Sequence, residues 1–352
     1  MTEINPEAPV MVTGANGYVA SWLVHKLLSE GHTVHAAVRD PDNTDKVGPL
    51  VNVAGTLPGT LKLFQADLLS DGAYDAAAAG CELIFHTASP FTMQTRDPQA
   101  ELVEPALRGT RNVLETASRT DTIKRVVLTS SCAAIYGDNI DCEEKPGKTL
   151  TEAHWNTSSS LEHNPYQYSK TLAEQAAWEM ADAQDRWDLV VVNPSLVIGP
   201  AINPKATSES FAIVKQLGDG SMKPGAPHLG LGVIDVRDLA EAHYRAGFTP
   251  AAHGRNIVSA WNTSLLGLAA ALRDRFSNYP LPTRTLPKFL VWLVGPTQGL
   301  SRKFVSRNIG YDLKADHTKV VSELGMSFRP LEESIQDMFA WMIDVGRLRA
   351  RK

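Results

Sequence analysis

Short apolar runs recur through the first half of the chain, separated by longer segments of mixed polarity. Val10-Met11-Val12, Val34 to Val38, Leu61 to Phe64, Leu83 to Phe85, Val126 to Leu128 and Leu189 to Val192 have the length and continuous apolarity of strands buried on both faces. Between them, Ser21 to Leu28, Ala100 to Ser118 and Tyr166 to Ala183 have helical length and composition. This alternation predicts a parallel sheet with helices on both faces. After Asn193-Pro194 the regularity fades into a Pro/Gly-rich stretch, Gly199 to Gly232. A strand at Val233 to Val236, a helix near Asp238 to Gly247 and a strand Asn256-Ile257-Val258 are expected to return to the sheet. From Thr263 to Lys352 prolines alternate with short amphipathic helices such as Leu331 to Ile343, with Ile335, Met338, Phe339 and Met342 on one face. The pattern predicts an α/β, doubly wound parallel sheet formed by residues 1–193 plus about 233–260. A smaller, mainly helical domain for the substrate is expected from about 194–232 plus 261–352.

Composition narrows the partners. The chain has 352 residues, 43% of them hydrophobic, and its net charge of −5 shows no basic cluster, which argues against nucleic acid or an anionic membrane and for a small-molecule partner. Oligomeric state is not readable. Three cysteines, Cys81, Cys132 and Cys142, form no C-x-x-C pair and fit reduced thiols in a cytoplasmic protein. The acidic N-terminus reaches a core strand too soon for a signal peptide. Phe289-Leu290-Val291-Trp292-Leu293-Val294 falls far short of the ~20 apolar residues that span a bilayer, and is expected to pack as core or line a pocket. The histidines show no ligand spacing, so no metal site is expected, and Asn112 and Cys132 are read as structural.

The first strand turns directly into a helix through Thr13-Gly14-Ala15-Asn16-Gly17-Tyr18-Val19-Ala20. Such a turn lets backbone approach a dinucleotide pyrophosphate, whose charge is met by free N–H groups and the positive end of the helix dipole. Two glycines and an alanine at this spacing are common by chance; their place between strand and helix makes the turn a Rossmann-type cofactor loop. Thr13, Gly14, Asn16, Gly17, Tyr18 and Val19 are its candidate contacts. The second strand ends in Arg39, where an acid would select NAD; a guanidinium there, with Lys46 seven residues on, fits the 2′-phosphate of NADP(H). The alternative is that both are ordinary surface charges, with the adjacent Asp40 reading a ribose hydroxyl. Asp67 and Leu68 end the third strand and are placed by the adenine; Thr87, Ala88 and Ser89 follow the fourth and are placed by the pyrophosphate or nicotinamide ribose.

Tyr166 and Lys170 lie one helical turn apart, so they share a face, and the ammonium, together with the positive nicotinamide ring of an oxidised cofactor, is expected to lower the phenol pKa. Ser131, after the strand that ends in Thr129-Ser130, offers a hydroxyl for a substrate oxygen, or else caps the strand end. In this order the glycine turn, Thr129-Ser130-Ser131 and Tyr166-x-x-x-Lys170 resemble the extended short-chain dehydrogenase/reductases over nearly the whole chain. Val38-Arg39-Asp40-Pro41, His86-Thr87-Ala88-Ser89-Pro90, Ser169 to Trp178 and Asn193 to Pro200 resemble the dihydroflavonol reductase, cinnamoyl-CoA reductase and aldehyde reductase group. That resemblance implies NADPH-dependent carbonyl reduction with Ser131, Tyr166 and Lys170 catalytic. It also implies Thr129, Pro194 and Val197 beside the cofactor and Ser210 reaching the pyrophosphate.

The chain departs from the group at substrate positions. Tyr136 stands where plant dihydroflavonol reductases carry Asn, Gly232 where they carry Gln, and Asn164-Pro165-Tyr166-Gln167-Tyr168-Ser169-Lys170 differs from the cinnamoyl-CoA reductase pattern. A small or medium, mostly apolar aldehyde or ketone is therefore expected, in a pocket near Phe91, Thr92, Tyr136, Ile202 and Phe211. Two rival readings are a nucleotide-sugar epimerase or dehydratase of the same fold, against which Arg39 speaks, and a dinucleotide-sensing protein without turnover.

Overall fold

The computed structural model describes residues 1–89 and 95–351. The expected pocket residues Phe91 and Thr92 lie outside the described residues. The strands are β1 (Val10–Thr13), β2 (Thr33–Val38), β3 (Thr60–Gln65), β4 (Leu83–His86), β5 (Arg125–Thr129), β6 (Asp188–Pro194), β7 (Leu196–Ile198), β8 (Ala226–Pro227), β9 (Gly230–Asp235), β10 (Gly254–Val258), β11 (Trp261–Ser264) and β12 (Thr285–Leu286). Seven of them form one parallel sheet in the order β10-β6-β5-β4-β1-β2-β3. The chain winds outward from β1 to β3, then crosses back to lay β4 on the other flank of β1. Strand order therefore reverses between β1 and β4, and a crevice opens there at the carboxyl ends.

The helices are α1 (Tyr18–Ser29), α2 (Thr44–Ala54), α3 (Asp75–Ala78), α4 (Glu104–Arg119), α5 (Ile140–Glu143), α6 (Pro165–Asp182), α7 (Glu209–Asp219), α8 (Val236–Phe248), α9 (Leu265–Leu272), α10 (Lys288–Val294), α11 (Arg302–Asn308), α12 (Thr318–Glu323) and α13 (Leu331–Asp344). Side chains alternate across each strand, so β1 sends Val10 and Val12 to one face, with Leu23 and Leu27 of α1 and Leu239 of α8, and Met11 to the other, with Val113 and Leu114 of α4. A separate apolar cluster joins α7, α9 and α13 and takes in the expected stripe Ile335, Met338, Phe339 and Met342.

Two expectations are corrected here. Val233 to Val236 do not return to the main sheet: β9 pairs with β7 and β11 in a separate three-stranded sheet, because the crossover from β9 into α8 begins at Val236 and only β10 reaches β6. Phe289 to Val294 is not core. It forms α10, whose Phe289, Leu290, Trp292, Leu293 and Val294 are exposed while Val291 is buried, since about two turns of helix have only one side to pack on α11. No helix among the described residues is long and apolar enough to cross a membrane.

The sheet's amino end is held by Arg125, at 0% exposure. Its Nε and Nη2 donate to both carboxylate oxygens of Asp188 at 2.8 and 2.9 Å, and Nη1 donates to the carbonyls of Gly247 and Thr249 at 3.1 and 2.7 Å, closing the end of α8. Arg125→Leu leaves those acceptors unpaired and is expected to cost about 3–5 kcal/mol of stability, read by denaturant unfolding; a loss below about 1 kcal/mol, the size of a surface pair, would contradict this role.

Candidate active site

Gly14 adopts φ +62°, and a Cβ there would stand 3.1 Å from Ala88 Cβ, while one on Gly17 would stand 3.1 Å from the Gly14 carbonyl. The β1–α1 turn thus closes on the β4 loop only because both positions lack side chains. No side chain caps the start of α1, so its first-turn N–H groups are left for an anionic ligand. Two adjoining cavities of about 760 and 670 Å³ share Gly14, Asn16, Gly17, Lys46, Thr87 and Ser89. One runs to Tyr166, the other to Arg39, Asp67, Leu68 and Tyr74, and together they form an elongated groove along the switch point. A groove with a glycine cradle in the middle, a cation at one end and a phenol at the other fits a nicotinamide dinucleotide.

Several expected contacts line this groove: Gly14, Asn16, Gly17, Tyr18, Val19, Arg39, Lys46, Asp67, Leu68, Thr87, Ala88 and Ser89. Arg39 is 80% exposed on its side chain and pairs with Asp67 at 3.4 Å. Others are placed differently. Thr13 is fully buried; its hydroxyl accepts from the N–H groups of Thr87 and Ala88 at 3.1 and 3.0 Å and donates to His86 Nδ1, so it clips β1 to the β4 loop and does not face the groove. Thr129 Oγ1 is paired with Nε2 of His243 at 2.7 Å. Pro194 is the buried last residue of β6, and Val197 packs between two apolar clusters from β7. Ser210 is 0% exposed and bonded to Ser208; it is Ser208, the residue before α7, that lines the groove with Asn203, Lys205 and Thr207.

The expected substrate residues also separate. Phe211 is core, 4% exposed, with its ring on Tyr18 and Trp341, because the first turn of α7 faces α13. Tyr136 packs half-buried on Cys132, Ile135, Cys142 and Leu313. Ile202 is half-buried beside the groove-lining Asn203.

Ser131, Tyr166 and Lys170 do converge. Asn164 takes a left-handed conformation, φ 56°, and its Nδ2 donates to the Gly137 carbonyl at 2.8 Å; Pro165 then starts α6 with its φ already helical. This fixes where Tyr166 enters. The phenol hydrogen-bonds Ser131, while Ser131 Oγ also accepts from Ala133 N–H at 3.1 Å, so the strand-end cap and the site hydroxyl are the same group. Lys170 is buried, and its Nζ donates to Ser89 Oγ at 3.1 Å on the groove wall.

The electrostatics differ from the sequence expectation. Burial pushes the Tyr166 phenol up to about 12, the Glu209 carboxylate adds to this, and the Ser131 hydrogen bond opposes it. Burial likewise brings Lys170 down to about 8 against the pull of Glu174. The phenol is not lowered by its neighbour because desolvation outweighs a cation whose hydrogen bond goes to Ser89. Underneath, burial holds His86 at about 3 and His243 at about 4, both neutral. Lys205 and Glu174 were not found from sequence, since their partners Asp45 and Arg255 lie far along the chain. Among the described residues no group of three His, Cys, Asp or Glu could hold a metal ion.

A family model, the NAD dependent epimerase/dehydratase family, matches residues 10–258, and the chain belongs to that family, within the extended short-chain dehydrogenase/reductases. More narrowly it is a reductase that uses a nicotinamide dinucleotide. A cinnamoyl-CoA reductase of Medicago truncatula is 36% identical over 340 residues, 96% of each chain. A putative anthocyanidin reductase of Ginkgo biloba is 39% identical over 286 residues, covering 78% of this chain and 82% of its own. The crystal structure of the yeast methylglyoxal/isovaleraldehyde reductase complexed with NADPH superposes with a TM-score of 0.76 at 27% identity, covering 96% of this chain and 99% of that one.

Gly14→Ala keeps the residue count but puts a Cβ into the cradle at a strained φ, so dinucleotide affinity should fall roughly tenfold or more with the fold retained. Cofactor fluorescence titration reads this; unchanged affinity would mean the turn does not carry the ligand.

Proposed function

We propose that the protein is an NADPH-dependent carbonyl reductase acting on small or medium, mostly apolar aldehydes and ketones. The observation that carries this is the meeting of Ser131, Tyr166 and Lys170 at one end of a groove whose other end presents Arg39, with Lys46 between. When bound, the dinucleotide supplies the hydride; the protein supplies position and a proton. Tyr166, kept protonated by its buried setting, holds the proton for the carbonyl oxygen, and Ser131 holds that oxygen beside the phenol. Lys170, fixed at Ser89, presents its ammonium on the ribose side of the groove. Lys46 and Arg39 face the space for a 2′-phosphate; Arg39 pairs with Asp67 at 3.4 Å, and the adjacent Asp40 lines the same cavity.

For the substrate, the support is apolar surface next to few polar anchors. A side chain at Gly232 would meet Ser259 Oγ at 2.6 Å, so no amide reaches out from this position, and Tyr136 offers a ring. Arg307 and Asn308 of α11 bond Asp138, two residues along the chain from Tyr136, and α11 carries the exposed apolar face of α10. The names of the plant relatives point to larger phenylpropanoid and flavonoid substrates; leaving their hydroxyls unpaired on burial costs about 1–3 kcal/mol each. Residues 1–193 with about 233–260 would hold the cofactor, and the remainder the substrate.

In the wild type, kcat/KM with NADPH should exceed that with NADH by roughly tenfold to a hundredfold, matching about 1.5–3 kcal/mol of charged contacts, and Arg39→Ala should erase most of the difference. Equal values in the wild type would overturn the cofactor assignment. Tyr166→Phe should lower kcat by about 10²-fold or more while NADPH affinity stays near wild type; retention of a tenth of the activity would point to another acid. A simple aromatic aldehyde should outperform dihydroquercetin and cinnamoyl-CoA in kcat/KM under one set of conditions, and an advantage for either of the latter would overturn the substrate class.

A further inference from the structure

Glu174 lies one turn beyond Lys170 on α6, and its carboxylate is 0% exposed. Such a charge is costly to bury unless every lone pair is used. Here they are. Oε2 accepts from Ser130 Oγ and, at 2.8 Å, from Asn193 Nδ2; Oε1 accepts from Arg255 Nε at 2.5 Å and from Trp178 Nε1 at 3.4 Å. Asn193 Nδ2 also donates to the Ser131 carbonyl at 3.2 Å. Arg255 in turn stacks on Trp155 at 3.9 Å and donates to the carbonyls of Glu152 and Ala134. One carboxylate therefore ties together α6, the end of β5 that leads into Ser131, the end of β6, and β10.

Glu174 and Lys170 line the same small gap of about 10 Å³, walled also by His86, Ser89, Thr129 and Ser130, too small for more than a single water. The titratable and charged groups around Lys170 are few. On α6 they are Tyr166 and Glu174, from β4 the neutral His86, and from β10 Arg255 behind the carboxylate, with neutral His243 of α8 under Thr129. Among these Glu174 is the anion that favours the ammonium, and burial alone already draws Lys170 down.

We infer that Glu174 is a positioning residue: it touches neither substrate nor cofactor, but its buried charge keeps Lys170 an ammonium and its hydrogen bonds hold the Ser131 turn in register with Tyr166. The first half stands on geometry independent of turnover, and the second rests on the reductase reading above. Glu174→Gln keeps the shape and one accepting oxygen while removing the charge and turning the second oxygen into an NH₂ donor.

The test is the titration of the Lys170 Cε resonance in cofactor-free protein labelled with ¹³Cε-lysine, assigned by its loss in Lys170→Met. Wild-type Lys170 should titrate near 8, and in Glu174→Gln about one unit lower, the scale on which one nearby opposite charge moves a pKa. The alkaline limb of the pH–kcat profile should move by the same amount. Glu174→Asp, which retains the charge, should keep the wild-type titration with a reduced kcat, and it stands in if the Gln variant does not accumulate. A Lys170 titration unmoved by Glu174→Gln, or moved equally by Glu174→Asp, would overturn the inference whatever the melting temperature does. Absence of turnover in the wild type would instead fault the reductase reading and leave the titration to decide.

Discussion

Parallel pairing constrains where chemistry can sit. Seven strands that all run one way bring all their carboxyl ends to one edge, and the reversal of order between β1 and β4 leaves a crevice at the middle of that edge. Everything proposed for this protein is built along the crevice. Its width depends on a single close approach, Gly14 against Ala88, which the buried Thr13 hydroxyl sets by taking both N–H groups of the β4 loop. Ser89, two residues past Thr87, is thereby placed to receive Lys170, so the glycine turn and the Tyr166–Lys170 end of the groove are linked through the β4 loop.

Burial then decides the proton inventory. Desolvation raises the phenol, lowers the ammonium and strips both nearby imidazoles of charge. The groups left to carry charge below the sheet edge are Lys170 and the Glu174–Arg255 pair. A tyrosine that holds its proton to about 12 is suited to donating it to a developing alkoxide, whose own proton affinity is higher still. In this setting a tuned acid needs no lowered pKa, only a fixed place beside the oxygen.

Much of this was readable in the sequence where structure is local. The continuous apolar runs became strands, although β3, expected to be buried on both faces, lies at the sheet edge and is only partly covered; Gly14 and Gly17 form the β1–α1 turn, and Tyr166 with Lys170 one face of α6, since each follows from neighbours a few residues apart. Contacts made across the fold were not. Glu174 owes its place to Asn193 and Arg255, and Lys205 to Asp45, pairs that no spacing announces. Ser210, the second residue of α7, is turned into the core, while Ser208 just before the helix opens onto the groove, a difference of two residues that the sequence pattern does not resolve. Phe211 and α10 depart from expectation in opposite directions: an aromatic beside the groove turns inward to Tyr18 and Trp341, and the apolar run of α10 stays exposed, because so short a helix buries only Val291 against α11.

The central claim is that a hydride passes from the bound dinucleotide to a carbonyl carbon while the protein supplies only position and a proton. Reduction of an aromatic aldehyde with NADPH deuterated on the transferred side of C4, in ordinary water, tests it through the mass and proton spectra of the alcohol. The account predicts one deuterium on the carbinol carbon in every turnover. Alcohol that carries no label there, with the deuterium retained in the cofactor or lost to solvent, would contradict it.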